Sequence, residues 1–169
     1  PICERMSDLQ VAIKERLQGA QRVLITSHVR PDGDAIGSLL ALGLALQDAG
    51  KEVQMVLTDG TPASFKHLPG SEQIRTRVEG AFDLIISVDC SDLKRTGEAL
   101  NGQRPPDIVI DHHITTEAFG TLNLIEPEAV ATASMLARYM PEWGLKLTPP
   151  IAANLMTGLV TDTLGFRTS

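Results

Sequence analysis

The spacing of apolar and polar positions changes period several times along the chain, and each change marks an element. Over residues 7–17, Leu9, Ile13 and Leu17 recur at four-residue steps and Gly19 follows, which predicts an amphipathic helix with a stop. RVLITS (22–27) is short and β-rich. DAIGSLLALGLALQDAG (34–50) has helical length, with Asp34 placed to cap its start and Gly50 just past its end. A second strand, EVQMVLT (52–58), completes a βαβ unit with an expected right-handed crossover. FDLIISVD (82–89) and DIVIDHH (107–113) supply two more strands, whose apolar centres suit a parallel sheet buried on both faces, and TLNLI (121–125) is a weaker fifth. Helical patterns return over 129–139 and in PPIAANLMTGLV (149–160), which opens on prolines where a helix tolerates them. The alternation predicts an α/β fold: a doubly wound, mostly parallel five-stranded sheet with helices on both faces. The most turn-rich connection, DGTPASFKHLPGS (59–71), holds His67, which reads as an ordinary loop residue.

Composition narrows the class. A chain of 169 residues suits one domain, and 43% hydrophobic with 21% charged residues is the balance of a water-soluble fold. No apolar run reaches the roughly 18 residues a bilayer span needs, and the N-terminus lacks a basic start followed by an apolar signal core, so the expectation is cytoplasmic with no membrane partner. Cys3 and Cys90 make neither a disulfide framework nor a metal-type spacing, and Cys90 reads as a small buried residue. The net charge of -6 argues against a broad basic face for long duplex nucleic acid. Small phosphorylated ligands stay open, and surplus acid is also what a ring of Asp around divalent cations produces.

In open parallel sheets ligands bind beyond the carboxyl ends of the strands. His28 ends the first strand and starts a loop with Asp32 and Asp34; Asp89 ends LIISV; Asp111, His112 and His113 end IVI. Each has a bland reading, as a turn-former, a helix cap or a core histidine. Those readings weaken jointly, because three of the four histidines in the chain fall at these ends. One divalent ion with room left for water takes about three protein ligands. His28, Asp32, Asp34, Asp89 and His112 exceed that number, so two ions sharing a ligand fit better, the arrangement that activates water for in-line attack on a phosphoryl group. Oxygen ligands with a minority of imidazole and no thiolate favour Mn²⁺, with Mg²⁺ or Co²⁺ as substitutes.

These residues sit in HVRPDGDAIGS, VDCSD, IDHH and TGLVTDTLGF, four ordered motifs that together resemble the DHH phosphoesterase superfamily over nearly the whole chain. The resemblance implies that His28, Asp32 and Asp89 hold one ion and that Asp34, Asp89, His112 and Asp162 hold the other, with Asp89 bridging. Asp162 enters only through the resemblance; alone it reads as a helix-end residue. His113 would face the substrate phosphate and share the catalytic role with Asp89, Asp111 would orient the His112 imidazole from behind, and Gly33 would let the chain turn between Asp32 and Asp34. Gly33 in PDGDAIGS, TPASFKHLPG and TDTLGF most resemble the bacterial oligoribonuclease and 3′-phosphoadenosine 5′-phosphate (pAp) phosphatase branch, whereas manganese pyrophosphatases usually carry threonine where Gly33 stands. Relatives in that branch continue into a DHH-associated domain with a glycine-rich, histidine-containing motif that does not occur up to Ser169. Residues 1–169 are therefore expected to be the DHH catalytic domain alone. The implied activity is two-metal hydrolysis of phosphoester bonds in short oligonucleotides or small nucleotides, of nanoRNA, pAp or cyclic dinucleotide type. Arg30 and Arg167 are candidate phosphate contacts, and a homodimer stays open. The competing readings are a manganese-dependent inorganic pyrophosphatase and a non-catalytic metal- or nucleotide-binding module.

Overall fold

The structure, a computed structural model, describes residues 6–163. Five parallel strands, β1 (Arg22–Thr26), β2 (Glu52–Val56), β3 (Leu84–Val88), β4 (Ile108–Asp111) and β5 (Leu122–Ile125), form one sheet in the order β2-β1-β3-β4-β5. Register places Ile25 of β1 beside Met55 and Ile86, and Val88 beside Ile110. In this order the chain winds one way from β1 and the other way from β3. The switch point lies between those two strands, where a crevice opens beyond their carboxyl ends. His28 and Asp89 lie just past those ends.

Four helices, α1 (Asp8–Gly19), α2 (Gly33–Asp48), α3 (Thr132–Tyr139) and α4 (Pro149–Asp162), share one core with Val23, Ile25, Leu84, Ile86, Val88, Ile108, Ile110 and Leu124 of the sheet. On the opposite face Leu24, Val56 and Ile85 pack with Phe82, Ala99 and Leu100, which follow or precede the short 3₁₀ helix Leu93–Thr96. The central helix is α2, apolar nearly all round and buried on nearly all sides, as such a helix must be. It lies against α4 closely enough that a Cβ on Gly37 would stand 2.4 Å from the Asn154 carbonyl oxygen. The indole N–H of buried Trp143 donates to Gln10 Oε1 at 2.9 Å and pins α1 to the segment between α3 and α4.

Three details depart from the sequence reading. The cap of α2 is Asp32, whose carboxylate accepts from Ala35 N at 3.0 Å, and not Asp34, which lies inside the first turn and is turned toward α3. Helix α3 begins at Thr132 and not near 129, because the Ala129 carbonyl is taken by His112 and Ala131 is extended. Gly33 has no left-handed φ; it is the first residue of α2, and what demands glycine is Thr161, whose side chain would meet a Cβ there at 2.2 Å. The turn-rich 59–71 stretch holds the 3₁₀ turn Ala63–Phe65 and leads into a second, Ser71–Gln73; its His67 is exposed.

Candidate metal centre

Asp89 occupies the middle of the crevice. It leaves β3 with φ 51°, a left-handed conformation that aspartate tolerates better than most residues, and its N–H is held by the Ile110 carbonyl at 2.9 Å. Its carboxylate is 1% exposed; Oδ1 accepts from Thr132 Oγ1 at 3.0 Å, and Oδ2 has no hydrogen-bond partner. His28 Nε2 stands 3.6 Å from that oxygen and 3.7 Å from Asp32 Oδ2. The other ring nitrogen, Nδ1, donates to the Val29 carbonyl at 2.8 Å, which fixes the ring so that Nε2 faces the two carboxylates and is the nitrogen that gives up its proton when an ion is taken.

On the far side of Asp89, His112 is built the same way. Its Nδ1 donates to Ala129 O at 3.1 Å, while Nε2 lies 3.7 Å from Asp34 Oδ2, 3.8 Å from Asp89 Oδ1 and 3.5 Å from Asp162 Oδ2. That nitrogen too is buried and without a hydrogen bond. Buried polar atoms are nearly always satisfied, so two orphaned lone-pair donors at one centre are a specific anomaly. The separations exceed hydrogen-bond length yet place His28, Asp32 and Asp89 in one group and Asp34, His112 and Asp162 in another, each with donor atoms within 4.8 Å of one another. A third such group joins Asp89, His112 and His113.

The fold spends backbone amides on holding these carboxylates. The first N–H groups of α3, Thr132 N at 2.7 Å and Ala133 N at 2.9 Å, point at the two oxygens of Asp34. Helix starts suit negative charge for this reason. Glycine at 158 gives Asp34 room, since a Cβ there would meet Asp34 Oδ1 at 2.8 Å. Even so, burial and then the charge of Asp89 push the Asp34 carboxyl up to about 8, and burial raises Asp162 as well. Burial disfavours a charged His28, yet Asp32 and Asp89 outweigh it and lift the imidazole to about 10; the same partnership overrides burial to lower Asp32 to about 2. Such crowding is relieved by cations, and hard oxygen donors mixed with imidazole are the set that takes divalent ions while releasing protons.

Asp111 plays a different part from the one expected of it. Its Oδ1 accepts from the ring of His113 (Nδ1, 2.8 Å), and Oδ2 accepts from Thr116 Oγ1 at 2.5 Å; the only contact to His112 is from the backbone N–H, at 2.8 Å. Asp111 therefore orients His113, and the Ala129 carbonyl orients His112. Burial would raise Asp111, but the His113 and Thr116 bonds hold it below the usual carboxylate range, while the Asp111 bond raises His113 above the ordinary imidazole value.

All six expected ligands thus meet at one edge of the sheet, with His113 beside them, its Nδ1 3.8 Å from Asp89. Arg30 is exposed, with φ 53° and its N–H on Asp59, and Arg167 lies outside the described residues, as do Leu164, Gly165 and Phe166 of the fourth motif and Cys3. Cys90 is fully buried against the Asp92 carbonyl, and burial pushes its thiol up to about 12. Thr132, which touches Asp34 through its amide and Asp89 through its hydroxyl, gave no sign in the sequence. No helix among the described residues is long and apolar enough to cross a membrane.

Comparison with known proteins gives a family match and close relatives. The model of the DHH family, N-terminal domain, matches residues 22–159. The bifunctional oligoribonuclease and PAP phosphatase NrnA of Thermus thermophilus is 37% identical over 150 residues, 86% of this chain and 44% of that protein. The protein of the same name from Bacillus subtilis is 30% identical over 150 residues, 83% of this chain and 46% of its own. Among solved structures, an exopolyphosphatase-related protein from Bacteroides fragilis superposes with a TM-score of 0.86 at 29% identity, covering 98% of this chain and 53% of the other. The chain spans about half the length of these relatives.

Proposed function

The chain belongs to the DHH family, and from that membership and the geometry of the centre we propose that it is a two-metal phosphoesterase acting on short oligonucleotides or small nucleotides such as pAp. The observation that carries the proposal is the pair of orphaned buried donors, Asp89 Oδ2 and His112 Nε2, at the meeting point of two ligand groups that share a neighbourhood with Asp89. His28, Asp32 and Asp89 would hold one ion; Asp34, Asp89, His112 and Asp162 the other. The donor set favours Mn²⁺, with Mg²⁺ or Co²⁺ as alternatives. When bound, such ions polarise phosphoryl oxygens and lower the pKa of water.

The remaining work belongs to the side chains. His113, with Nδ1 on Asp111 and a raised pKa, is placed to carry a proton on Nε2 for a phosphate oxygen or leaving group. Asp111 keeps that ring in one tautomer and orientation. The names of the Thermus and Bacillus relatives support short oligoribonucleotides and pAp as the substrate class. Those relatives are about twice as long, and we read the DHH-family part of this chain, residues 22–159, as its catalytic domain. The test is product analysis with Mn²⁺ on dinucleotides, cyclic dinucleotides, pAp and pyrophosphate. Nucleotide cleavage abolished by Asp89→Ala is expected. Turnover of pyrophosphate alone would replace the proposal with a pyrophosphatase, and metal binding without any turnover would replace it with a binding module.

A further inference from the structure

The centre is lined by five carboxylates, those of Asp32, Asp34, Asp89, Asp111 and Asp162, so an incoming phosphoryl group needs a cation placed beside them. Among the described residues Arg16, Arg22, Arg75, Arg104 and Arg138 are ion-paired with carboxylates. Arg95 is not. Its guanidinium, half-buried, has a single hydrogen bond, Nη1 to Ser91 Oγ at 3.3 Å. A half-buried guanidinium with one long hydrogen bond and no carboxylate keeps most of its donors available to an anion.

Its position is fixed from three sides. The Arg95 carbonyl accepts from Val29 N at 2.7 Å, which ties it to the loop carrying His28. Ser91, its own contact, accepts through its carbonyl from Glu117 N at 2.8 Å, and the Thr116 N–H closes the same turn on the His113 carbonyl at 3.1 Å. Asp92 caps the 3₁₀ helix by accepting from Arg95 N at 3.0 Å, and Thr58 Oγ1 locks its other end, donating to Thr96 O at 3.0 Å and accepting from Glu98 N at 3.0 Å. Gly97 ends that helix at φ 63°, where a Cβ would stand 2.5 Å from Val29 Cγ1, so the turn seats directly on the His28 loop. Arg95 therefore rises from a rigid element between the loops of His28 and His113. Its charge also reaches His113, where it opposes the raising effect of Asp111.

We infer that Arg95 is the phosphate-binding residue of this centre, its guanidinium clamping an oxygen of the nucleotide phosphoryl group on the His113 side. This rests on the phosphoesterase reading above. Arg30 and Lys94, the neighbouring cations, are exposed and lack such anchoring of their side chains, so removing either should matter less.

The experiment titrates the Mn²⁺-loaded 169-residue chain with adenosine 5′-monophosphate and, separately, with adenosine. A charge-assisted bond predicts that Arg95→Gln weakens monophosphate binding about 10- to 100-fold and leaves Mn²⁺ stoichiometry and adenosine binding unchanged. Arg95→Lys, which keeps the charge and the stem, should recover part of the loss. Equal monophosphate affinity in Arg95→Gln and wild type overturns the assignment. So does loss of Mn²⁺ in Arg95→Gln with retention in wild type, which would make Arg95 a prop for the ligand cluster, and so does a Mn²⁺-loaded wild type that binds no monophosphate. Failure of wild type itself to take up Mn²⁺ would instead remove the phosphoesterase reading on which the inference stands.

Discussion

Gly37→Ala should damage one half of the centre from a distance. A Cβ on residue 37 would lie 2.4 Å from Asn154 O and 3.0 Å from Gly158 N, both backbone atoms of α4, so no side-chain rotation relieves the contact. Restoring ordinary carbon contacts of about 3.5 Å requires α4 to retreat by about 1 Å. The stability change is the difference between overpacking, about 1–3 kcal/mol, and the gain of about 1 kcal/mol from replacing a helix-interior glycine. The net is a loss of about 0–2 kcal/mol, which for a domain of this size lowers Tm by no more than about 8 °C. Asp162 ends α4, 3.5 Å from His112 Nε2, and moves with it. His28, Asp32 and Asp89 come from β1, its loop and β3 and stay put. Calorimetric titration with Mn²⁺ should therefore show one ion bound as in wild type and one weakened about 10- to 100-fold, the range expected when a ligand's support shifts. Gly19→Ala is the control, since nothing lies within 4 Å of its Cβ, and it should leave both ions and the melting curve intact. Two ions bound at wild-type affinity in Gly37→Ala, or equal weakening of both, would refute the argument that α4 serves one site through this seam.

Other outcomes follow from the same geometry. Asp89→Ala should abolish tight binding of both ions, measured by the same titration, whereas Asp34→Ala and Asp162→Ala should each spare one. His112→Ala should lose an ion; His113→Ala should keep both and lose turnover by about 10²- to 10⁴-fold, read as kcat at saturating Mn²⁺. Thr132→Val keeps the amide on Asp34 but removes the hydroxyl on Asp89, so it should destabilise the fold by about 1 kcal/mol in a denaturant melt and weaken metal binding, with Thr132→Ser restoring both. Saturating Mn²⁺ at about 100 times its Kd should raise the stability by about 2.7 kcal/mol for each ion bound, reversed by a chelator, and an unchanged melt would deny specific uptake by the native state.

The strands and helices were legible because their periods are clean and their ends carry turn residues, and parallel strands buried on both faces announce themselves as apolar runs. The candidate ligands were legible for a related reason: polar groups at the end of an apolar strand stand out. What the sequence concealed is contact between segments distant along the chain. Asp162 looked like the end of a helix because nothing local says that α4 lies along α2. That neighbourhood depends on glycine at 33, 37 and 158, each of which has a bland explanation in isolation. The cap of α2 is Asp32 and not the expected Asp34, because the N–H groups that claim Asp34 belong to α3, nearly a hundred residues later. That Asp111 serves His113 and not His112 turns on the Ala129 carbonyl, which no pattern in the sequence ties to His112. Arg95 follows Asp89 by six residues, and that spacing is uninformative until the 3₁₀ helix folds the guanidinium back onto Ser91, two residues after Asp89.

A cluster of acids in a half-dry crevice is a burden on the apo fold, and the way it is borne bears on how it works. Four of the five carboxylates are held by a donor from the scaffold: Asp32 by the start of α2, Asp34 by the start of α3, Asp89 by Thr132, and Asp111 by Thr116 and the His113 ring. The two imidazoles assigned to ions are each fixed by a carbonyl on Nδ1. Bonds of this kind satisfy one side of a ligand and leave the other toward the centre, where Asp89 Oδ2 and His112 Nε2 remain without partners. The scaffold has therefore already met the orienting cost before any ion arrives, so binding energy goes to neutralising charge and not to ordering loops. Preorganisation of this sort is what electrostatic catalysis of phosphoryl transfer requires, since donors and charges must not reorganise as the reaction proceeds. It also explains why the outlying supports, Thr132, the Ala129 carbonyl and the α2–α4 glycines, should be as sensitive to substitution as the ligands they hold.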